Sequence, residues 1–206
     1  MTPLNLAEIC PSTRTLGPGN RFVIWVQGCC FNCPGCVSPD WIPRTQATLI
    51  DPIQLGNLIL SQPNLEGVTV SGGEPMLQAI GLETLFSHLR ENCDLSIMCY
   101  TGFTLEEIRK NPDRDRLLKF IDILIDGQYI AELNDNRGWR GSSNQTVHFL
   151  TPRHRPDAEL FTTRKRDVEI HLRNQSALMV GVPPQDFRDR FQQLIDRSTS
   201  RKIPPY

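Results

Sequence analysis

The sequence is short of several features that would narrow its role at once. No stretch of its 206 residues approaches the ~18 consecutive apolar positions of a membrane span. Lys plus Arg number 22 against 23 Asp plus Glu, a formal net charge of −1. No surplus of one sign marks a nucleic-acid or anionic-membrane binder, so neither is expected as a partner. The start, Met1-Thr2-Pro3-Leu4-Asn5, lacks the charged-then-apolar layout of a secretory signal. A cytoplasmic location, where thiols stay reduced, is therefore expected. There is no internal repeat, no low-complexity tract, no Gly-Lys-Ser/Thr phosphate loop and no recognisable nucleophile–base–acid triad. What remains is an ordinary globular composition, 39% hydrophobic and 22% charged. The length suggests one domain with an appendage.

Seven cysteines then need explaining. An odd number, with a bunched group, does not read as a disulfide framework. Cys29, Cys33 and Cys36 are spaced C-x3-C-x2-C. Thiolates in one tight loop converge on a soft metal, either zinc or an iron–sulfur cluster. Zinc needs a fourth ligand: the adjacent Cys30 would have to double back to provide it, and His88, Cys93 and Cys99 are the remote alternatives. A four-iron cluster on three thiolates keeps one iron open to a further molecule. Pro34 restricts the loop and Gly35 allows close approach to inorganic sulfide. Cys10, Cys30, Cys93 and Cys99 read as small packed groups.

The chain alternates strand and helix. Phe22–Val26 reads as a buried strand, Ile53–Ser61 as a helix and Gly67–Val70 as a strand. Leu77–Glu91 follows as a helix with Leu82, Leu85, Phe86 and Leu89 on one face, then Asp94–Tyr100 as a strand. Thr104 opens a short helix in a capping-box pattern, and Phe120–Ile125 is a fourth strand. This spacing predicts parallel βαβ units, an α/β fold with chemistry at the carboxyl ends of the strands. The unusual loops sit at those ends: the cysteine loop, Ser71-Gly72-Gly73-Glu74-Pro75, Thr101-Gly102 and Asp126-Gly127. Asn134–Gln145 reads as a loop, with further strands at Val147–Leu150 and Val168–Leu172. After Pro183-Pro184 comes an amphipathic helix with Phe187, Phe191, Leu194 and Ile195 on one face.

Taken together, the cysteine triple and Gly72-Gly73-Glu74-Pro75 resemble the radical S-adenosylmethionine (radical SAM) superfamily. Gly17-Pro18-Gly19-Asn20-Arg21, Trp25-Val26-Gln27-Gly28-Cys29, Tyr100-Thr101-Gly102-Phe103-Thr104, Asp122–Gly127 and Arg140–Gln145 extend the likeness to the activating enzymes of anaerobic ribonucleotide reductase. The resemblance implies a partial (βα) barrel of parallel strands with a [4Fe–4S] cluster on Cys29, Cys33 and Cys36. It implies S-adenosylmethionine on the open iron. Ser71, Gly72, Gly73 and Glu74 would hold its amino group through backbone carbonyls and carboxylate, because a protonated amine leaving water needs acceptors. Thr101 and Gly102 would flank its ribose or methionine part, and Asp126 and Asn144 are further pocket candidates. Asp126 before Gly127 also reads as a plain turn, and Asn144 as a loop hydrogen bond. An external electron donor of the flavodoxin or ferredoxin kind is implied, and a protein or peptide as substrate.

The likeness covers about residues 15–150, the expected core being 1–150. About sixty residues follow Gln145, with basic runs at Arg153–Arg155 and Arg164–Arg166. This 151–206 extension, ending in the amphipathic helix, reads either as packing against an open sheet edge or as a docking surface. Three functions compete. The first is an activase that makes a glycyl radical in a large reductase. The second is a modifier of a ribosomal peptide, by epimerisation, cross-linking or backbone excision, with a small leader-binding partner protein. The third is a zinc-binding interaction module.

Overall fold

The computed structural model describes residues 2–174 and 176–200. Its centre is a seven-stranded sheet ordered β3-β1-β2-β4-β5-β6-β7. The strands are β1 (Leu4–Thr13), β2 (Arg21–Val26), β3 (Thr48–Ile50), β4 (Gly67–Gly72), β5 (Ser96–Tyr100), β6 (Ile123–Asp126) and β7 (Thr146–Phe149). β2, β4, β5 and β6 pair in parallel. The expectation of parallel strands fails at both flanks: β1 pairs antiparallel with both β2 and β3, and β7 pairs antiparallel with β6. The strand order is linear, so among the described residues the sheet is open and mixed.

β1 escapes a reading by alternation because its register with β2 shifts twice, between Leu6 and Glu8 and between Cys10 and Thr13. Such bulges throw the inward and outward pattern out of step. The fourth strand starts later than expected. Phe120 and Ile121 close the turn after a helix, donating to the carbonyls of Leu117 and Leu118 at 3.1 and 3.2 Å.

Helices α1 (Pro52–Leu60), α2 (Ala79–Asn92), α3 (Leu105–Arg109) and α4 (Pro112–Leu118) connect the strands. Asp51 caps α1, and Thr104 and Glu107 form the expected capping box on α3. Leu82, Leu85, Phe86 and Leu89 of α2 are buried together with Phe22, Ile24, Val68 and Val70. Each such side chain contributes roughly 1.5–3 kcal/mol by leaving water. Every residue of β2 is buried, because its alternate residues Val23 and Trp25 face a second layer. There they pack with Cys10, Leu16 and Val180, while farther along the same face Trp139 and Phe161 of α5 (Leu160–Thr163) cover Met98, Ile123 and Ile125.

The late strand at Val168–Leu172 is present as β8. It pairs antiparallel with β9 (Ala177–Gly181), which went unread. The last helix, α6 (Phe187–Ser200), stacks Phe187 on Phe191 at 5.9 Å and leaves Leu194 exposed. Ile195, the fourth member of the expected stripe, lies outside the described side chains. No helix among the described residues is long and apolar enough to cross a membrane.

Buried Arg21 braces the amino ends of the strands. It donates to Thr69 Oγ1 at 2.7 Å, Val68 O at 2.7 Å and Ser96 Oγ at 2.8 Å. Burial pulls its guanidinium down to about 10, still protonated at neutral pH.

Candidate functional site

The cysteine loop leaves the carboxyl end of β2 and returns to β3. Its root is pinned by Gly28 N–H to Trp41 O and Cys29 N–H to Ile42 O, both 2.9 Å, and by Gln27 Nε2 to Pro43 O at 2.8 Å. Within it, Cys36 N–H donates to Cys33 O at 3.1 Å, folding the Pro34-Gly35 turn. Phe31 packs edge-on to Phe103, centroids 4.8 Å apart, and so clips the loop to the segment after β5. Cys29, Cys33 and Cys36 all line one cleft of ≈ 200 Å³, at the small end of small-molecule sites. Burial lifts the Cys29 thiol to about 11 and raises Cys33 as well. These thiols are protonated at neutral pH without a metal, so metal binding must displace their protons. Cys30 is exposed and off the cleft wall, while Cys10 and Cys99 are buried as small apolar groups.

The donor set discriminates between the two metal readings. Zinc requires its ligands ~2.0–2.3 Å from a single point. Cys29, Cys33 and Cys36 are three thiols on one cleft, one short of the four ligands of a structural zinc and enough for a cluster with one open iron.

The glycine loop follows β4 and lies against the root of the cysteine loop. Gly73 N–H donates to Val26 O and Glu74 N–H to Gly28 O, both at 2.8 Å. Gly72 sits at φ +105°, where a side chain is strained, and a Cβ there would overlap the Val26 backbone. A Cβ on Gly73 would collide with the Gly28 carbonyl oxygen. The two glycines thus serve the close approach of two loops.

Glu74 is 1% exposed. Its Oε1 accepts from Met76 N–H at 2.8 Å and Thr101 Oγ1 at 2.7 Å, and its Oε2 from Gly102 N–H at 2.8 Å. Burial raises its carboxyl to about 7 despite these donors. A carboxylate has about four acceptor positions, so one remains for a donor in the cleft. Glu74 therefore joins the loops after β4 and β5 and holds spare acceptor capacity.

Ser71, Gly73, Glu74, Thr101 and Gly102 line the cleft with the three cysteines. Three expected residues are off its wall. Gly72 is turned into the β2–β4 contact. Asp126 starts α3, its Oδ2 accepting from Leu105 N–H at 2.6 Å, with His148 Nε2 3.0 Å away. Asn144 is exposed, donates to Gln128 O at 2.8 Å, and faces the neighbouring groove beside Cys33 and Pro34.

Its neighbour Gln145 lines the cleft instead, with Tyr129. Gln145 accepts from Gly141 N–H at 2.7 Å and donates to Gly127 O at 2.8 Å, clasping the loop after β6. Its position at the end of the Ser-Ser-Asn-Gln segment was its only signal in the sequence. Gly181, Val182 and Pro183 also line the cleft, from far along the chain and with no local motif to announce them.

Comparison with known proteins agrees with this site. A family model described as a 4Fe–4S single cluster domain matches residues 15–148. An anaerobic ribonucleoside-triphosphate reductase-activating protein of Haemophilus influenzae is 32% identical over 154 residues, 70% of this chain and 97% of the relative. That of Vibrio cholerae is 32% identical over 157 residues, covering 72% of this chain and 99% of the relative. The phage T4 protein of the same name is 31% identical over 149 residues, 70% and 93% of the two chains. With the matched segment carrying the cysteine loop and strands β2 to β6, the chain belongs to the 4Fe–4S single cluster family of anaerobic ribonucleoside-triphosphate reductase-activating enzymes.

Proposed function

We propose that this chain is a radical SAM activating enzyme that takes a hydrogen atom from a glycine Cα of an anaerobic ribonucleotide reductase, leaving a glycyl radical there. The names of the relatives favour this over modification of a ribosomal peptide. A [4Fe–4S] cluster with S-adenosylmethionine would supply one-electron cleavage of the sulfonium when both are bound, and the protein's part is position and dryness. Cys29, Cys33 and Cys36 would provide three thiolates, so that one iron is left for the amino and carboxylate groups of S-adenosylmethionine. Ser71, Gly73 and Glu74 would receive the N–H donors of that amino group. The spare acceptor position on Glu74 suits such an N–H donor, and a hydrogen bond to the charged form would favour the ionised carboxylate. Thr101 and Gly102 would bound the same ligand and hold Glu74 in place. Gly72, Asp126 and Asn144 would act one step back: Gly72 by loop approach, Asp126 by starting α3, Asn144 by fixing Gln128. No side chain is needed as a general acid or base. A small external reductant of the flavodoxin or ferredoxin class would supply the electron. Residues 1–150 would form the catalytic core and 151–206 an extension to it.

The observation that carries this reading is the meeting of three strand-end loops, those after β2, β4 and β5, on one cleft. The test is anaerobic reconstitution followed by reaction with S-adenosylmethionine, dithionite and a candidate reductase. About four irons and four sulfides per chain, 5′-deoxyadenosine, and a glycyl doublet in electron paramagnetic resonance are expected. Zinc without sulfide, or an intact cluster that never cleaves S-adenosylmethionine, would refute it.

A further inference from the structure

The family match ends at residue 148, yet three residues of the cleft wall, Gly181, Val182 and Pro183, lie beyond it. The segment that delivers them is tied down on two sides. Toward β1 and β2, Thr15 Oγ1 donates to Val180 O at 3.0 Å, Arg14 N–H to Glu169 Oε1 at 3.0 Å, and Arg173 pairs with Glu8 at 2.7 Å. Val180 is buried there against Cys10, Val23 and Trp25. Toward the loop after β6, Gly138 N–H donates to Arg164 O at 2.9 Å. β2 and β6 are separated in the sheet by β4 and β5. Residues 164–174 and 176–183 therefore form a strap across the face of the open sheet.

Arg166 is the buckle. Its side chain is 1% exposed. It donates to Asn134 Oδ1 at 2.6 Å, Arg140 O at 2.7 Å, Gly141 O at 3.0 Å and Pro183 O at 3.3 Å. The nearest carboxylate, Asp135, is 3.8 Å away and is engaged by Arg140 at 2.7 Å. A buried guanidinium held mainly by carbonyl oxygens fixes backbone more than it balances charge. Two of those carbonyls, on Gly141 and Pro183, belong to cleft-lining residues from different segments.

We propose that the strap is the substrate-side wall of the cleft and that Arg166 is the positioning residue that sets its aperture. The wall at this point is Gly141, Gly181, Val182 and Pro183, without a charged side chain. That chemistry admits a slim, uncharged stretch of polypeptide and turns away bulky or charged segments. The assignment of a polypeptide occupant rests on the proposed activity; the wall and its buckle do not.

Two measurements on the full chain test this separately. In the metal-free, reduced protein, Cys29 and Cys36 are alkylated with a small and a bulky maleimide, and the sites are counted by mass spectrometry. Arg166→Lys keeps the charge but loses the planar fork, and should raise the bulky-to-small rate ratio at these cysteines about fivefold, as expected for an aperture lost with its hydrogen bonds. If that variant fails to fold, Val182→Gly should raise the same ratio. An unchanged ratio in a folded variant overturns the wall.

In the reconstituted protein, Arg166→Lys should keep its iron and sulfide content and its substrate-free S-adenosylmethionine cleavage. Its KM for the protein substrate should rise about tenfold, and fewer cleavage events should end in a substrate radical, as positional error predicts. A parallel fall in substrate-free cleavage would show a merely structural role and overturn the positioning assignment. If the wild-type protein cleaves no S-adenosylmethionine, the proposed activity fails, while the alkylation ratio still decides the wall.

Discussion

Glu74 offers a sharp test of the site's electrostatics, because its burial and its donors pull in opposite directions. Its carboxyl is displaced from 4.5 to about 7 by burial. A raised carboxyl means that the folded chain holds this proton more tightly than the unfolded chain does. The stabilising contribution is complete below about 4.5 and is lost as pH rises through about 7. At about 1.4 kcal/mol per unit, the metal-free protein gives up about 3 kcal/mol across that window through this one group. Glu74→Gln has the same shape and no charge. Its oxygen can keep Met76 N–H and Thr101 Oγ1, while its NH2 then faces Gly102 N–H and orphans it, at roughly 1–3 kcal/mol. That cost does not depend on pH. Urea unfolding of wild-type and variant apo protein under reductant, at several pH values from 4.5 to 8, should show the wild-type advantage shrinking by about 3 kcal/mol toward the alkaline end. Other titrating groups cancel in the difference. A difference that stays flat over that range would refute the reasoning, since it would mean that the carboxylate is solvated or already compensated.

Further outcomes follow from other contacts. Cys33→Ala should abolish reconstituted iron and sulfide binding and with it 5′-deoxyadenosine formation; retained dithionite-dependent cleavage would exclude Cys33 as a ligand. Gly73→Ala should separate the glycine loop from Gly28 O, lowering thermal stability and cluster loading together, as melting curves and iron analysis would register. Asp122 takes hydrogen bonds from Arg90 at 2.7 Å, Ile97 N–H at 2.8 Å and Thr151 Oγ1 at 2.7 Å. Burial works to raise its carboxyl, but these partners prevail and hold it below its ordinary value. Its contribution is therefore present at neutral pH and lost on acidification through the folded-state value. Asp122→Asn should cost about 2–3 kcal/mol at pH 7, below the full penalty of a broken buried pair because Arg90 keeps some water contact. The deficit should narrow in acid, and denaturation at pH 7 and pH 3.5 measures both.

Local chemistry made much of this protein legible from its residues. Cys29, Cys33 and Cys36 could be grouped because a short loop with Pro34 and Gly35 limits where its thiols can go. The capping box at Thr104 is equally local. α2 was readable because its apolar residues repeat at the helical period, and the parallel centre followed from strands separated by such helices. β1 was hidden by its bulges and β9 by the weak pattern of a short hairpin strand. The antiparallel placement of β1 and β7, and the edge position of β3, depend on long-range pairing that no window of sequence contains.

The sequence by itself determined the cysteine and glycine loops, the helices and strands that carry them, and their place at the carboxyl ends of the strands. Only the tertiary structure decided which polar groups face the cleft: Gln145 rather than Asn144, and Asp126 turned to α3. It alone brought Gly181, Val182 and Pro183 to the wall and buried Arg166 as their fastening. The physical reason is range. Loop geometry and periodicity act over a few residues, whereas a cleft is closed by whichever distant segment can cover the sheet's open face and satisfy its backbone there.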